Sequence, residues 1–243
     1  MKKHIPNTLT CCNLVSGCIA VVAALHGEFP LALLMIIIGA VFDFFDGMVA
    51  RMLHVSSPIG KELDSLADVV TFGVAPSMML FAYLAESFQI GSPDIAMIFR
   101  GEGNDRWLAL LSFLPLIMAA FSALRLAKFN LDERQSMGFI GFPTPANALF
   151  WGAVIVSLQH HAIFFSGIQY VLLVGMLISS YLLVSEIPMF ALKFKHWGWK
   201  GNEIKYFFLL TSVLLIVFLG VAGIAAVIAW YVVLSIVTAL YNK

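Results

Sequence analysis

The chain has 243 residues, of which 61% are hydrophobic and 12% charged, and its formal net charge is zero. A soluble domain is about half apolar and about a quarter charged, so this composition excludes a soluble globular protein and indicates a polytopic membrane protein with surplus apolar surface facing lipid. Balanced charge offers no bulk attraction for nucleic acid, which is excluded as a partner.

A helix needs roughly 20 apolar residues to cross a bilayer. Eight such runs predict an all-α transmembrane bundle, in chain order 8–25, 30–50, 65–88, 106–129, 145–161, 168–193, 204–220 and 222–241. The first run follows a basic start and resembles a signal peptide in outline. Asn7, Thr10 and Asn13 recur through it at three-residue spacing, which a discarded leader does not need, so it is read as a retained span. Cys11, Cys12 and Cys18 fit neither a zinc site nor a disulfide framework and are read as small apolar residues. The last two runs need a tight turn near Gly220–Gly223; the alternative is one long bent helix. The whole chain, 1–243, reads as a single integral domain, with a core over about 5–192 and two additional C-terminal spans. All but two of the 14 Lys and Arg residues, Arg100 and Arg106, fall on one side of this arrangement. By the positive-inside rule that side is cytoplasmic, in a cytoplasmic (inner) membrane, and both termini lie there.

The stretch DFFDGMVARMLHVSSPIGKELDSLAD, from Asp43 to Asp68, sets four aspartates at the cytoplasmic ends of the second and third spans. A charge at the bilayer centre costs roughly 2.5–3.5 kcal/mol on insertion scales, so these residues need a purpose. Asp43 and Asp46 are three apart, and Asp64 and Asp68 four apart, so each pair shares a helix face. Ser56, Ser57, Pro58 and Gly60 mark a turn over 52–63 that allows the two helices to aim their carboxylates at one point. Four carboxylates repel unless cations neutralise them. Two divalent ions balance the charge, and oxygen-only ligands select Mg²⁺, Mn²⁺ or Ca²⁺. Two such ions about 3.5–4 Å apart suit in-line displacement at phosphorus. Gly47 and Gly60 leave room for a close ligand, and Arg51 can pair with a phosphate or a cluster carboxylate. A structural charge cluster and a cation-transport site use similar residues and stay open at this point.

The spacing Asp43-x2-Asp46-Gly47-x2-Ala50-Arg51-x8-Gly60-x3-Asp64-x3-Asp68 matches, without gap or substitution, the signature of the CDP-alcohol phosphotransferases, which this chain resembles. The segments IPNTLTCCNLVSG, ELDSLADVVTFGVAPS, ALRLAKFN and GFPTPANA resemble the bacterial and archaeal integral-membrane phosphatidylserine synthases over about 5–148. The resemblance implies CDP-diacylglycerol and L-serine as substrates, membrane lipid as surroundings, two divalent cations (Mg²⁺ or Mn²⁺) as cofactors and a homodimer. It implies Asp43, Asp46, Asp64 and Asp68 as metal ligands, with Asp68 also the general base. Gly47, Ala50, Arg51 and Gly60 would form the CDP site, and Asn7 and Thr10 look like nucleotide-side contacts. Siblings in the family take glycerol phosphate or inositol phosphate, and the signature does not separate them. Arg125 and Lys128, three apart at the cytoplasmic end of the fourth span, suit the serine carboxylate; cytoplasmic ends also collect basic residues for topology alone. Asn13 and Asn130 are further polar candidates, or helix-to-helix bonds. Thr144, between Pro143 and Pro145, marks the start of the fifth span. Trp197 and Trp199 among lysines read as an interfacial anchor. His160 and His161 lie at the opposite side from the carboxylates and are not read as ligands.

Overall fold

The computed structural model describes residues 4–55, 57–88, 104–132, 139–161, 167–189, 198–199 and 202–241. The expected segments around Lys193, Lys195, Trp197 and Lys200 lie outside them. The architecture is all-α, and among the described residues five helices, against the eight spans expected, are long and apolar enough to cross a membrane.

Helix α1 (His4–Leu25) packs along α2 (Phe29–Met52), the most extensive helix pairing described. Its buried stripe is small or polar: Thr10, Asn13, Gly17, Ala20 and Ala24. Without a hydrophobic force between helices in lipid, small residues let backbones close up and polar ones bond across the gap. Gly27, at φ 73°, supplies the left-handed residue that reverses the chain between the two helices.

After α2 the turn is shorter than the sequence suggests. Pro58 does not belong to a long loop but opens α3 (Pro58–Asp68), and the Ser57 hydroxyl caps it by accepting from the Gly60 N–H at 3.0 Å. Gly60 is therefore inside the first helical turn. The rod continues through a π-helical turn, Val69–Val74, into α4 (Ala75–Ser87). Pro76 explains the wide turn: it has no N–H to give the Phe72 carbonyl, and its ring crowds that group. The Ala75 N–H reaches back instead to the Val70 carbonyl, five residues away. The combined rod Pro58–Ser87 is the most enclosed of the five long helices.

The fourth span is two pieces, α5 (Asn104–Phe113) and α6 (Leu116–Leu131), joined through Leu114 and Pro115. Thr144 and Pro145 do start α7 (Thr144–His161). Helix α8 (Ile168–Val184) stops well before residue 193, because Pro188 enters a two-residue antiparallel clasp. That clasp pairs Phe139 with Met189 and Ile140 with Pro188. Gly141 beside it needs its glycine: φ is 78°, and a Cβ would press on the carbonyl oxygens of Leu183 and Ser185. Helices α9 (Glu203–Leu219) and α10 (Val221–Tyr241) are separate, turned at Gly220, whose φ is 57°.

The core lies between α1, α2, α4, α7 and α8 around Phe29, Ile36, Phe72, Met79, Leu84, Ile155 and Met176. The Trp151 indole N–H bonds to the Ser179 hydroxyl at 2.9 Å and ties α7 to α8. On α9, Leu210, Val217 and Phe218 point outward, 63–80% exposed, as lipid-facing residues do.

Candidate active site

The end of α2 and the start of the Pro58–Ser87 rod bring the aspartates together. Carboxylate oxygens of Asp43, Asp64 and Asp68 lie within 4.8 Å of one another. Asp46 stands just beside the trio, close enough that its charge bears on all three. Its own carboxylate accepts a hydrogen bond from the Thr10 hydroxyl of α1. Asp68 is almost fully buried, 8% exposed, and its Oδ1 accepts from the Asn13 amide at 3.1 Å. Asn13 is wholly buried, and its Oδ1 has no hydrogen-bond partner among the described residues.

The π-turn sets this geometry. It places Thr71 where its hydroxyl donates to the Asn13 carbonyl at 3.0 Å. Gly17 of α1 and Gly39 of α2 close on the same threonine; a Cβ on Gly39 would sit 2.6 Å from Thr71 Cγ2 and 2.9 Å from Asn13 Oδ1. Three helix backbones thus meet at Thr71, directly behind the aspartate trio. Asn13, which the sequence left as a lesser candidate, is the α1 residue that bonds Asp68.

One cavity opens beside the carboxylates, and a second lies at the ends of α6 and α8. The first, of about 270 Å³, is lined by Asn7 and Thr10 of α1, Asp46, Gly47 and Ala50 of α2, and Gly60, Lys61 and Asp64 of α3. Nearly every residue expected around CDP therefore faces one space. Gly47 is open toward it, since a Cβ there would meet only the Arg51 guanidinium, at 3.5 Å. Gly60 serves close packing, with Asn7 Oδ1 at 3.2 Å from where a Cβ would stand. Ser57, read from the sequence only as a turn residue, also lines this wall.

The second cavity, of about 340 Å³, is lined by Arg125, Lys128 and Asp132 at the end of α6, by Ile140, and by Leu183–Glu186 at and just past the end of α8. Arg125 is buried, at 7% exposed; its guanidinium donates to the Thr144 hydroxyl at 3.4 Å, lies 5.0 Å from the Phe129 ring centre, and keeps an unpartnered Nε. A topological arginine at a membrane surface would snorkel to water; this one turns inward, within the field of Asp68. Lys128 is exposed. Asn130 proves to be a tie between the two walls: its amide donates to Ser65 at 2.7 Å and its carbonyl accepts from Lys61 at 3.0 Å. Asn147 is buried, with no hydrogen-bond partner for either amide atom among the described residues.

The donor set fits a divalent cation. It is all carboxylate oxygen, partly withdrawn from water, with oxygens near enough to share an ion. Buried carboxylates this close are tolerated where a cation compensates them.

The CDP-alcohol phosphatidyltransferase family model matches residues 3–240. The chain is 36% identical over 194 residues to a CDP-diacylglycerol–serine O-phosphatidyltransferase of Bacillus subtilis, covering 80% of this chain and 91% of that one. It is 30% identical over 247 residues to the protein of the same name from Helicobacter pylori strain J99, covering 98% and 94%. An archaeal protein of that name, from Methanocaldococcus jannaschii, is 39% identical over 145 residues, 60% of this chain and 57% of its own. With the trio of carboxylates at the mouths of two membrane helices, these matches establish that the chain belongs to the CDP-alcohol phosphatidyltransferase family.

Proposed function

We propose that the protein transfers the phosphatidyl group of CDP-diacylglycerol to the hydroxyl of L-serine, giving phosphatidylserine and CMP. The observation that carries this reading is the Asp43–Asp64–Asp68 trio, with Asp64 lining a cavity that the signature residues share. Relatives named for the same reaction support it over nearly the whole chain.

Asp43, Asp46, Asp64 and Asp68 would hold two divalent cations, Mg²⁺ or Mn²⁺. Such ions supply charge neutralisation at phosphoryl oxygens. Gly47, Ala50 and Gly60 let the nucleotide and its phosphates lie against the α2 and α3 backbones, Arg51 faces phosphate, and Asn7 and Thr10 contact the nucleotide. Arg125, with Lys128, takes the serine carboxylate. Asp68 receives the proton of the serine hydroxyl as its oxygen attacks the phosphorus bonded to diacylglycerol, and the bond from that phosphorus to the CMP oxygen breaks in line. Asn13 keeps the Asp68 carboxylate aimed during this step. No side chain forms a covalent intermediate in this scheme.

The acceptor side supports serine over a sibling acceptor. Glycerol phosphate or inositol phosphate brings a phosphate and no ammonium, whereas the second cavity mixes cations with carboxylates. We further infer a single integral domain in the cytoplasmic membrane, with both termini and the site on the cytoplasmic side by the Lys/Arg bias, a catalytic core over about 5–192, and homodimerisation through membrane helices. The test of the acceptor assignment is Arg125→Ala. The serine KM is expected to rise at least about tenfold, as for loss of a charge-assisted bond to carboxylate, with the CDP-diacylglycerol KM little changed. An unchanged serine KM removes Arg125 from the site.

A further inference from the structure

Lys61 belongs neither to the signature nor to the carboxylate trio, yet it sits between them. It follows Gly60 on α3, stands three residues before Asp64, and lines the first cavity with both. Among the described residues lining that cavity are two carboxylates, Asp46 and Asp64, and one cation, Lys61. Arg51 lies at its edge, its guanidinium 3.5 Å from where a Cβ on Gly47 would stand. The Lys61 ammonium is held from another helix: it donates to the Asn130 carbonyl of α6 at 3.0 Å. Asn130 is itself fixed, since its amide donates to the Ser65 hydroxyl, one turn along α3 from Lys61, at 2.7 Å. An ammonium has three donors. The Asn130 carbonyl takes one and is neutral, so the charge and two donors remain for a ligand. Lys61 is exposed, and a ligand entering the cavity reaches it. A lysine kept for topology alone extends into water; this one is anchored at a cavity wall.

We propose that Lys61 binds a phosphate oxygen of the cytidine diphosphate end of the donor lipid. Carboxylate and phosphate repel, so Asp46 and Asp64 can meet a pyrophosphate only through a cation. Lys61 meets it directly, by a charge-assisted hydrogen bond. The bond is made to phosphate and not to cytosine, so it distinguishes a nucleotide from a nucleoside. This inference rests on the reading of the first cavity as the donor site, and the experiment separates the two.

Purified full-length protein in detergent with Mg²⁺ is titrated with CDP and with cytidine. The wild-type protein is expected to bind CDP at least about tenfold more tightly. Lys61→Gln removes the charge and keeps a donor for the Asn130 carbonyl. It is expected to weaken CDP binding about tenfold and to leave cytidine binding in place, and Lys61→Arg is expected to restore CDP binding. Ser65→Ala breaks the tie to the Asn130 amide and keeps the ammonium, so its CDP affinity is expected to hold. Lys61→Gln binding CDP as tightly as wild type overturns the proposal. An equal loss in Ser65→Ala also overturns it, because Lys61 would then be a structural tie. Should the variants misfold, the wild-type protein decides: acetylation of Lys61, read by mass spectrometry, is expected to slow with CDP bound and not with cytidine, and equal rates overturn the proposal. A folded wild-type protein that binds CDP no better than cytidine defeats the donor-site reading itself, and the proposal with it.

Discussion

Asp68 is the residue on which most converges. It is buried, it belongs to the trio, and Asn13 fixes one of its oxygens. A general base contributes about 10²–10⁴-fold, so Asp68→Asn, which keeps the shape, is expected to lower kcat by at least that factor while CDP-diacylglycerol still binds; full turnover would remove Asp68 from the chemistry. Asn13 acts one step back. Loss of a residue that orients a metal ligand commonly costs about 10–100-fold in metal affinity or activity. Asn13→Ala is therefore expected to raise the concentration of Mg²⁺ or Mn²⁺ needed for half-maximal CMP release by that factor, and a metal titration unchanged from wild type would contradict it. The aspartates were legible from spacing alone, since residues three or four apart share a helix face. Asn13 was not, because its importance comes from a contact between residues far apart in the chain.

At the level of elements, helix α1 and the π-turn form one device. Gly39 admits Thr71 and Asn13 to the contact point, and a Cβ at 2.6 Å from Thr71 Cγ2 has nowhere to go without moving a helix. Overpacking of this kind costs about 1–3 kcal/mol, so Gly39→Ala is expected to lower thermal stability in detergent and to reduce activity with it. A variant as stable and active as wild type would mean that the three backbones are not locked there. Each of the eight apolar runs holds helix among the described residues, though only five of those helices are long and apolar enough to cross a membrane. Their ends were harder to read. Pro58 and Gly60 looked like loop residues, yet Ser57 capping and proline in the first turn make them a helix start. Pro76 produces a wide turn five residues back rather than a break, which no apolar pattern records. The sixth run extends apolar past Val184, but the structure spends Pro188 on the clasp that walls the second cavity.

On the scale of the molecule, the apolar core is distinct from the charged site. The core packs between α1, α2, α4, α7 and α8, while the carboxylates sit toward the end of α2 and on α3. Chelation of divalent cations is accordingly expected to abolish CMP release while far-UV helicity persists, with activity returning on adding Mg²⁺ or Mn²⁺. Collapse of helicity on chelation would make the metal a structural element of the whole bundle. The family membership and the carboxylate trio fit a membrane enzyme that joins a nucleotide-activated lipid to an alcohol. The most direct measurement is CMP release by purified protein given CDP-diacylglycerol and Mg²⁺ or Mn²⁺, with L-serine, glycerol 3-phosphate and inositol phosphate supplied separately. CMP release with serine alone, accompanied by phosphatidylserine, is the predicted result; release with a phosphorylated acceptor and none with serine would contradict it.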